Sequence, residues 1–293
     1  VYSPSLQVQT SSCLPVVLGG GSGYLVYYSA RDGQTDLFFA AVESNNTIRI
    51  TSSSGNEKVP AISPDGGKIL YVYELNGSED IYLLDLDTNS TENITNYPAN
   101  YQSPTWSPNG ENIIFGSNHE GVRGFEIYTM NLESGELQKI TDNGAQNNAP
   151  TWSPCGDRIA FYADLNGNWD IYTIAPDGSE VLQVTFSVTN ERFPSWSPDC
   201  TKLAYSSTAN GDEDIFIHTL TDGEITNITN TRQTNELAPS WSPDGLWLAF
   251  YTFSFEENVD REIHIIASDG SQIIQVTSDS YEDYSPFWQP VRR

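Results

Sequence analysis

A segment of the form PxWSPDG returns along this chain, as PAISPDG from Pro60, PTWSPNG from Pro104, PTWSPCG from Pro150, PSWSPDC from Pro194 and PSWSPDG from Pro239, and ends as PFWQP from Pro286. The steps between these prolines are 44, 46, 44, 45 and 47 residues. A period of that length matches one propeller blade, a unit that cannot bury its apolar faces alone and is stable only when stacked on its neighbours.

Each copy continues in the same way. A β-rich run follows the motif (Ile69 to Tyr73, Ile113 to Ser117, Ile159 to Ala163, Leu203 to Ser207, Leu248 to Thr252), then a polar loop, then an acidic residue that opens a second run such as Ile81-Tyr82 or Ile171-Tyr172. Turns such as Asp177-Gly178 and Asp222-Gly223 lead into a last run ending in Thr95, Thr141, Thr185, Thr229 or Thr277. Short β-rich runs divided by Asp-Gly signals are hairpins. The expected fold is therefore all-β: a six-bladed β-propeller of four-stranded antiparallel blades, strands A to D running outward from the axis.

The strand count also predicts how the ring closes. The first copy supplies B (Tyr24 to Ser29), C (Leu37 to Val42) and D (Thr47 to Thr51), while Pro286 to Pro290 is an A strand with nothing after it. Pairing that C-terminal strand with the N-terminal B-C-D blade hides two sheet edges. Residues 1–14 are expected to form a polar tail and residues 15–293 the propeller.

The motif turn, the strand after it, the D-I-Y start of strand C and the terminal V-T resemble the TolB-like propeller repeat, a Pro-Asp relative of the WD repeat. The resemblance runs from about Pro15 to the end and is far more specific for fold than for function. TolB-like proteins are periplasmic, and their propeller binds a peptidoglycan-associated lipoprotein. Their α/β N-terminal domain has no counterpart in these 293 residues. Similar repeats form the propellers of prolyl-oligopeptidase-like hydrolases and of some polysaccharide lyases, so the resemblance leaves both binding and enzymatic roles open.

Charge narrows the partners. There are 39 Asp and Glu against 13 Lys and Arg, a formal net charge of −26. Such a surface repels nucleic acid and anionic lipid and favours cations and proteins with a basic or mixed-charge surface. No apolar stretch approaches the roughly 18 residues of a membrane span, so no direct membrane insertion is expected.

Three sets of residues are candidates for function. Glu57, Tyr101, Asn147, Glu191, Glu236 and Asp283 each stand three residues before a motif proline, where they would ring one mouth of the channel. Glu57, Glu191, Glu236 and Asp283, with Asn56, Asn190 and Asn235 beside them, offer hard oxygens for Ca2+ or a cationic peptide end; a hydrated acidic vestibule is the other reading. Tyr97, Tyr101, Trp169, Phe186, Phe255 and Tyr281 fall in or beside the loops of that same face, where rigid rings among carboxylates would anchor a protein partner or pack over the blade edges. Asp36, Asp80, Glu126, Asp170, Asp214 and Glu262, one before each strand C, recur in every blade and are expected to be structural anchors.

Cys155 and Cys200 replace residues of the motif turn in consecutive blades, either as one bridge or as two inert thiols, with Cys13 left odd. A bridge would imply an oxidising compartment, periplasmic or extracellular. No GxSxG, HExxH, GxxxxGK or CxxC is present, and His119, His218 and His264 lie on different blades without converging on a metal site. No cofactor is required beyond the Ca2+ candidate. The favoured function is a non-catalytic extracytoplasmic interaction propeller, an accessory or scaffold subunit of an envelope or surface assembly. The alternative is a lyase or hydrolase acting at the channel mouth on a carbohydrate or peptide, with Glu191, Glu236 and Asp283 as its acids.

Overall fold

The computed structural model describes residues 23–31, 33–44, 46–95, 97–119, 124–254 and 260–290. The expected polar tail 1–14, Cys13 and Phe255 lie outside them. The described residues form six separate four-stranded antiparallel sheets.

Blade one is β1 (Tyr24–Arg31), β2 (Gln34–Ala41) and β3 (Asn46–Arg49) with β24 (Glu282–Trp288) as its innermost strand. Blade two is β4 (Asn56–Ile62), β5 (Lys68–Leu75), β6 (Ser78–Asp85) and β7 (Ser90–Asn93). Blade three is β8 (Tyr101–Trp106), β9 (Asn112–Ser117), β10 (Glu126–Asn131) and β11 (Leu137–Lys139). Blade four is β12 (Asn147–Trp152), β13 (Ile159–Ala163), β14 (Asp170–Ile174) and β15 (Leu182–Gln183). Blade five is β16 (Glu191–Trp196), β17 (Lys202–Ser207), β18 (Asp214–Thr219) and β19 (Ile225–Asn227). Blade six is β20 (Asn235–Trp241), β21 (Trp247–Phe253), β22 (Glu262–Ala267) and β23 (Ile273–Gln275).

Closure follows the strand count. β24 pairs antiparallel with β1, Leu25 opposite Trp288, Val26 opposite Phe287 and Tyr28 opposite Tyr284. The closing strand begins at Glu282, four residues before the expected Pro286, because the motif proline lies within strand A rather than at its start. Proline is tolerated there because the strand bulges. In each blade strand A loses register between the residue two before the proline and the one after it, as between Lys58 and Ala61 or Arg192 and Ser195. The residue before the proline, Val59, Ser103, Ala149, Phe193, Ala238 or Ser285, has a φ of 49°, 48°, 44°, 56°, 54° or 46°. Each non-glycine residue held there costs about 1–3 kcal/mol, so the six bulges are maintained by the packing around them.

That packing sits between blades rather than at the axis. Each of six apolar clusters spans one boundary: Val26, Leu37 and Phe39 of blade one with Ile69, Tyr71 and Leu84 of blade two, for instance, or Leu25, Tyr27 and Trp288 with Ala249 and Ile265. Strands B and C are apolar on both faces because each face meets a neighbouring blade, as in the buried run Ile69-Leu70-Tyr71-Val72. The motif Trp serves the same boundary: Trp106 Nε1 donates to the Ala61 carbonyl of the preceding blade at 3.0 Å.

Candidate docking face

A repeated hydrogen-bond latch ties each strand C to its strand D and sets the loops above. A threonine two residues beyond strand D accepts a strand C amide: Leu37 N–H to Thr51, Ile81 to Thr95, Ile127 to Thr141, Ile171 to Thr185, Ile215 to Thr229 and Ile263 to Thr277, all at 2.8–2.9 Å. The same hydroxyls donate to the neighbouring acid, which lies within strand C rather than before it, at 2.6 Å in Thr141 to Glu126 and Thr277 to Glu262 and at 3.3 Å in the Asp80, Asp170 and Asp214 pairs. Thr51 instead donates to Glu57. Asp36 takes an Arg49 guanidinium at 2.6 Å.

The residues three before the motif proline differ from the expected channel ring. Glu57, Tyr101, Asn147, Glu191, Glu236 and Asp283 are all buried, at 0, 3, 0, 2, 1 and 0% exposure. Alternation along strand A turns the next residue to the other face, where Lys58, Gln102, Asn148, Arg192 and Tyr284 are partly exposed and Leu237 is buried. Neighbouring A strands meet through it: the Gln102 amide donates to Asn148. The buried residues point back to the latch. Asn147 Nδ2 donates to Glu126 at 3.0 Å, and Glu191 accepts from Ser187 at 2.5 Å, Thr189 at 2.8 Å and Ser207 at 3.0 Å. Glu236 accepts from Thr231 at 2.6 Å. Burial raises Glu57 to about 7, Glu236 to about 8 and Asp283 to about 6, each opposed by hydroxyl hydrogen bonds. Among the described residues no group of three or more His, Cys, Asp or Glu is arranged to hold a metal ion.

Of the aromatic candidates, the structure separates displayed rings from packed ones. Phe186 is 77% exposed, Tyr97 54% and Tyr281 38%. Tyr101 is buried edge-on against Phe115, centroids 5.6 Å apart, and Trp169 is half-buried edge-on against Tyr162 at 5.2 Å. Tyr281 lies under the Arg31 guanidinium, 4.8 Å from its ring centre, and Arg31 pairs with Asp279 at 2.7 Å.

Sequence reasoning missed Val188, which is 95% exposed two residues beyond Phe186. The loop that carries both is pinned from below and from the side. Glu191 holds the Ser187 and Thr189 hydroxyls, these hydroxyls lie 2.7 Å from each other, and Asn168 Nδ2 donates to the Thr189 carbonyl at 2.8 Å and the Ser187 carbonyl at 3.3 Å. The signal in the sequence is the alternation Phe-Ser-Val-Thr, whose two hydroxyls face in and whose two apolar side chains face out.

On the opposite face the motif turns repeat one geometry. The Ser63 hydroxyl donates to Asp65 at 2.6 Å and accepts the Lys68 amide at 2.9 Å, as Ser197 does with Asp199 and Lys202. The turn glycine has a positive φ, 72° at Gly66 and Gly245, and Cys200 takes that place at 61°. Cys200 is disulfide-bonded to Cys155, Cα atoms 6.2 Å apart, which staples the turns of blades four and five. Two of the histidines pack on aromatic rings: burial lowers the pKa of His264, which stacks on Phe250 at 5.9 Å, and His119 meets Tyr97 edge-on at 5.1 Å. No helix among the described residues is long and apolar enough to cross a membrane.

Comparison with known proteins places this geometry. The chain is similar to TolB from Acinetobacter baumannii, at 24% identity and a TM-score of 0.80 over 93% of this chain and 68% of that one. It is also similar to an oligogalacturonate lyase from Vibrio parahaemolyticus, at 15% identity and a TM-score of 0.62 over 88% and 75% of the two chains. A chain of the nidogen/laminin complex matches at 10% identity and a TM-score of 0.73 over 93% and 100%. These likenesses show a shared fold. No curated protein sequence matches the chain. The family described as TolB beta propeller domain matches residues 59–192 and 190–292, so the chain belongs to the TolB β-propeller family.

Proposed function

We propose that this propeller is a non-catalytic, extracytoplasmic docking module that binds a protein partner with a basic or mixed-charge surface through the face built by its B-to-C and D-to-A loops. The observation that carries this reading is the pinned loop 186–189. Its five hydrogen bonds hold Phe186 and Val188 in water at 77% and 95% exposure, which costs solvation free energy unless a partner covers them. Tyr97 and Tyr281 extend the same face, and the net charge of −26 steers cationic surfaces toward it. Membership of the TolB propeller family agrees with a protein-binding role and an envelope location, and the Cys155–Cys200 disulfide agrees with an oxidising compartment.

The burial of Glu191, Glu236 and Asp283 argues against the enzymatic alternative, because none of the three acids is open to a substrate. Similarity to an oligogalacturonate lyase lends that alternative the fold alone.

A photo-crosslinking side chain placed at Phe186 in the native producing cell tests the proposal. One discrete protein adduct, absent when the crosslinker is placed at Leu246 on the opposite face, is the expected result. Equal labelling from both positions, or none from Phe186, overturns it.

A further inference from the structure

We propose that Tyr162, Arg192, Ser206 and Tyr251 form a carboxylate-binding site where strands A and B of blades four to six reach the docking face. This goes beyond the docking of Phe186 and Val188 and does not depend on it.

The site emerges from comparing one position around the ring. The residue two before each motif proline shares a side of its blade with its strand B partner, as Arg192 does with Ser206, Asn148 with Tyr162 and Leu237 with Tyr251. Elsewhere in this layer the polar groups are already bonded. Lys58 pairs with Glu74 and lies 3.8 Å from Glu79, and the Gln102 amide donates to Asn148. The Tyr284 hydroxyl donates to Glu282 at 2.5 Å and accepts from Arg261 at 3.2 Å.

Blades four to six leave hydrogen-bonding capacity over. Ser206 is 1% exposed, and its Oγ and the Arg192 Nε are both buried without a hydrogen-bond partner. Among the described residues no hydrogen bond reaches the hydroxyl of Tyr162 or of Tyr251, both half-buried. These groups are held in place from outside the site. Arg192 is paired with Glu213 through Nη2, and its guanidinium lies 5.9 Å from the centre of the Phe193 ring. Phe193 in turn meets Tyr162 edge-on at 5.4 Å, which brings the Tyr162 ring beside Arg192. Polar groups withdrawn from water and left unmet cost free energy, so they call for a partner that the described chain does not supply.

The chemistry of that partner follows from what the four groups share. Arg192 Nε can only donate, and the three hydroxyls can all donate. A carboxylate only accepts, at about four lone-pair sites on its two oxygens. Charge points the same way. Although the chain carries a net charge of −26, the charged group that acts on Tyr162 is Arg192, and those that act on Tyr251 are Arg261 and Arg192; no carboxylate acts on either hydroxyl. The anionic surface at large is screened beyond about 8–10 Å at physiological salt, so the local cationic field decides what is held. Phe193 and Trp169, half-buried against Tyr162, offer an apolar wall for the rest of the ligand. A peptide carboxyl terminus and an acidic sugar both present this group.

Ligand-observed NMR titration of the full chain with two acids and their neutral counterparts tests the proposal: N-acetylglycine against N-acetylglycinamide, and glucuronate against glucose. The expected result is saturable binding of at least one acid, with a Kd of about 1 mM or tighter, and none of its neutral counterpart. Tighter binding of N-acetylglycine identifies the ligand as a chain terminus, and tighter binding of glucuronate as an acidic sugar. Tyr162→Phe and Tyr251→Phe keep the rings and remove one hydroxyl each; each is expected to weaken binding at least about tenfold, with Tyr97→Phe unchanged as the control. No binding of either acid to the unaltered chain, equal binding of acid and neutral counterpart, or full affinity in both Tyr162→Phe and Tyr251→Phe overturns the proposal. The first two readouts need no variant, so they do not depend on any variant folding.

Discussion

The Thr141 hydroxyl donates to the Glu126 carboxylate at 2.6 Å while accepting the Ile127 amide at 2.9 Å, so one side chain ties the end of strand D to the start of strand C. Thr141→Val keeps the shape and removes both bonds, leaving a buried amide and a buried carboxylate oxygen short of a partner. A loss of about 1–3 kcal/mol is expected, read as a fall in melting temperature of about 2–4 °C per kcal/mol. An unchanged melting curve would show that the latch carries no stability.

The disulfide holds the turn in which Cys200 replaces a glycine at a φ of 61°. Reduction, or Cys155→Ser with Cys200→Ser, is expected to cost about 2–4 kcal/mol. Cys155→Ser with Cys200→Gly is expected to recover part of that loss, because glycine takes the left-handed conformation without a steric cost. Thermal melts of the three forms check the order: native, glycine variant, serine variant.

Stability should also depend on pH in a direction set by the buried acids. Glu57, Glu236, Glu262 and Asp283 are raised by burial to about 7, 8, 7 and 6, above the values of the unfolded chain. Between the unfolded and folded values the native state binds more protons than the unfolded one, so their contribution is largest in mild acid and is lost as pH rises through about 6 to 8. At the other end Asp65 and Asp199 are lowered by the Ser63 and Ser197 hydroxyls, and their contribution is lost in stronger acid. Melting temperature is therefore expected to peak in mild acid and fall by pH 8, and to fall less in Glu57→Gln with Glu236→Gln. A melting temperature that rises from about pH 6 to about pH 8 would contradict this assignment.

Much of the architecture was legible because a repeat forces each local solution to recur. The spacing of Pro60, Pro104, Pro150, Pro194, Pro239 and Pro286 carried the blade count, and the unpaired last strand carried the closure with Tyr24 to Ser29. Side-chain direction in strand A was not legible. A period-two strand admits two assignments of faces, and the bulge at the proline leaves no uninterrupted pattern from which to choose between them. Glu57, Glu191, Glu236 and Asp283 were thus expected at the channel mouth although they close blade boundaries, and Tyr101 was grouped with displayed aromatics although it occupies the same buried position. Phe186 stands out as an aromatic outside the strands, whereas Val188 has only the short alternation Phe-Ser-Val-Thr to mark it, and its exposure depends on the hydrogen bonds that turn Ser187 and Thr189 inward.

The docking role is tested most directly by calorimetric titration of the crosslinked partner, once purified, against the native protein, Phe186→Ser with Val188→Ser, and Leu246→Ser as a control on the other face. All three exposed sites should leave melting temperature unchanged within about 0.5 kcal/mol of stability. The expected result is affinity weakened at least about tenfold in the Phe186 and Val188 variant alone. Equal affinity in all three proteins would contradict the assignment of this face.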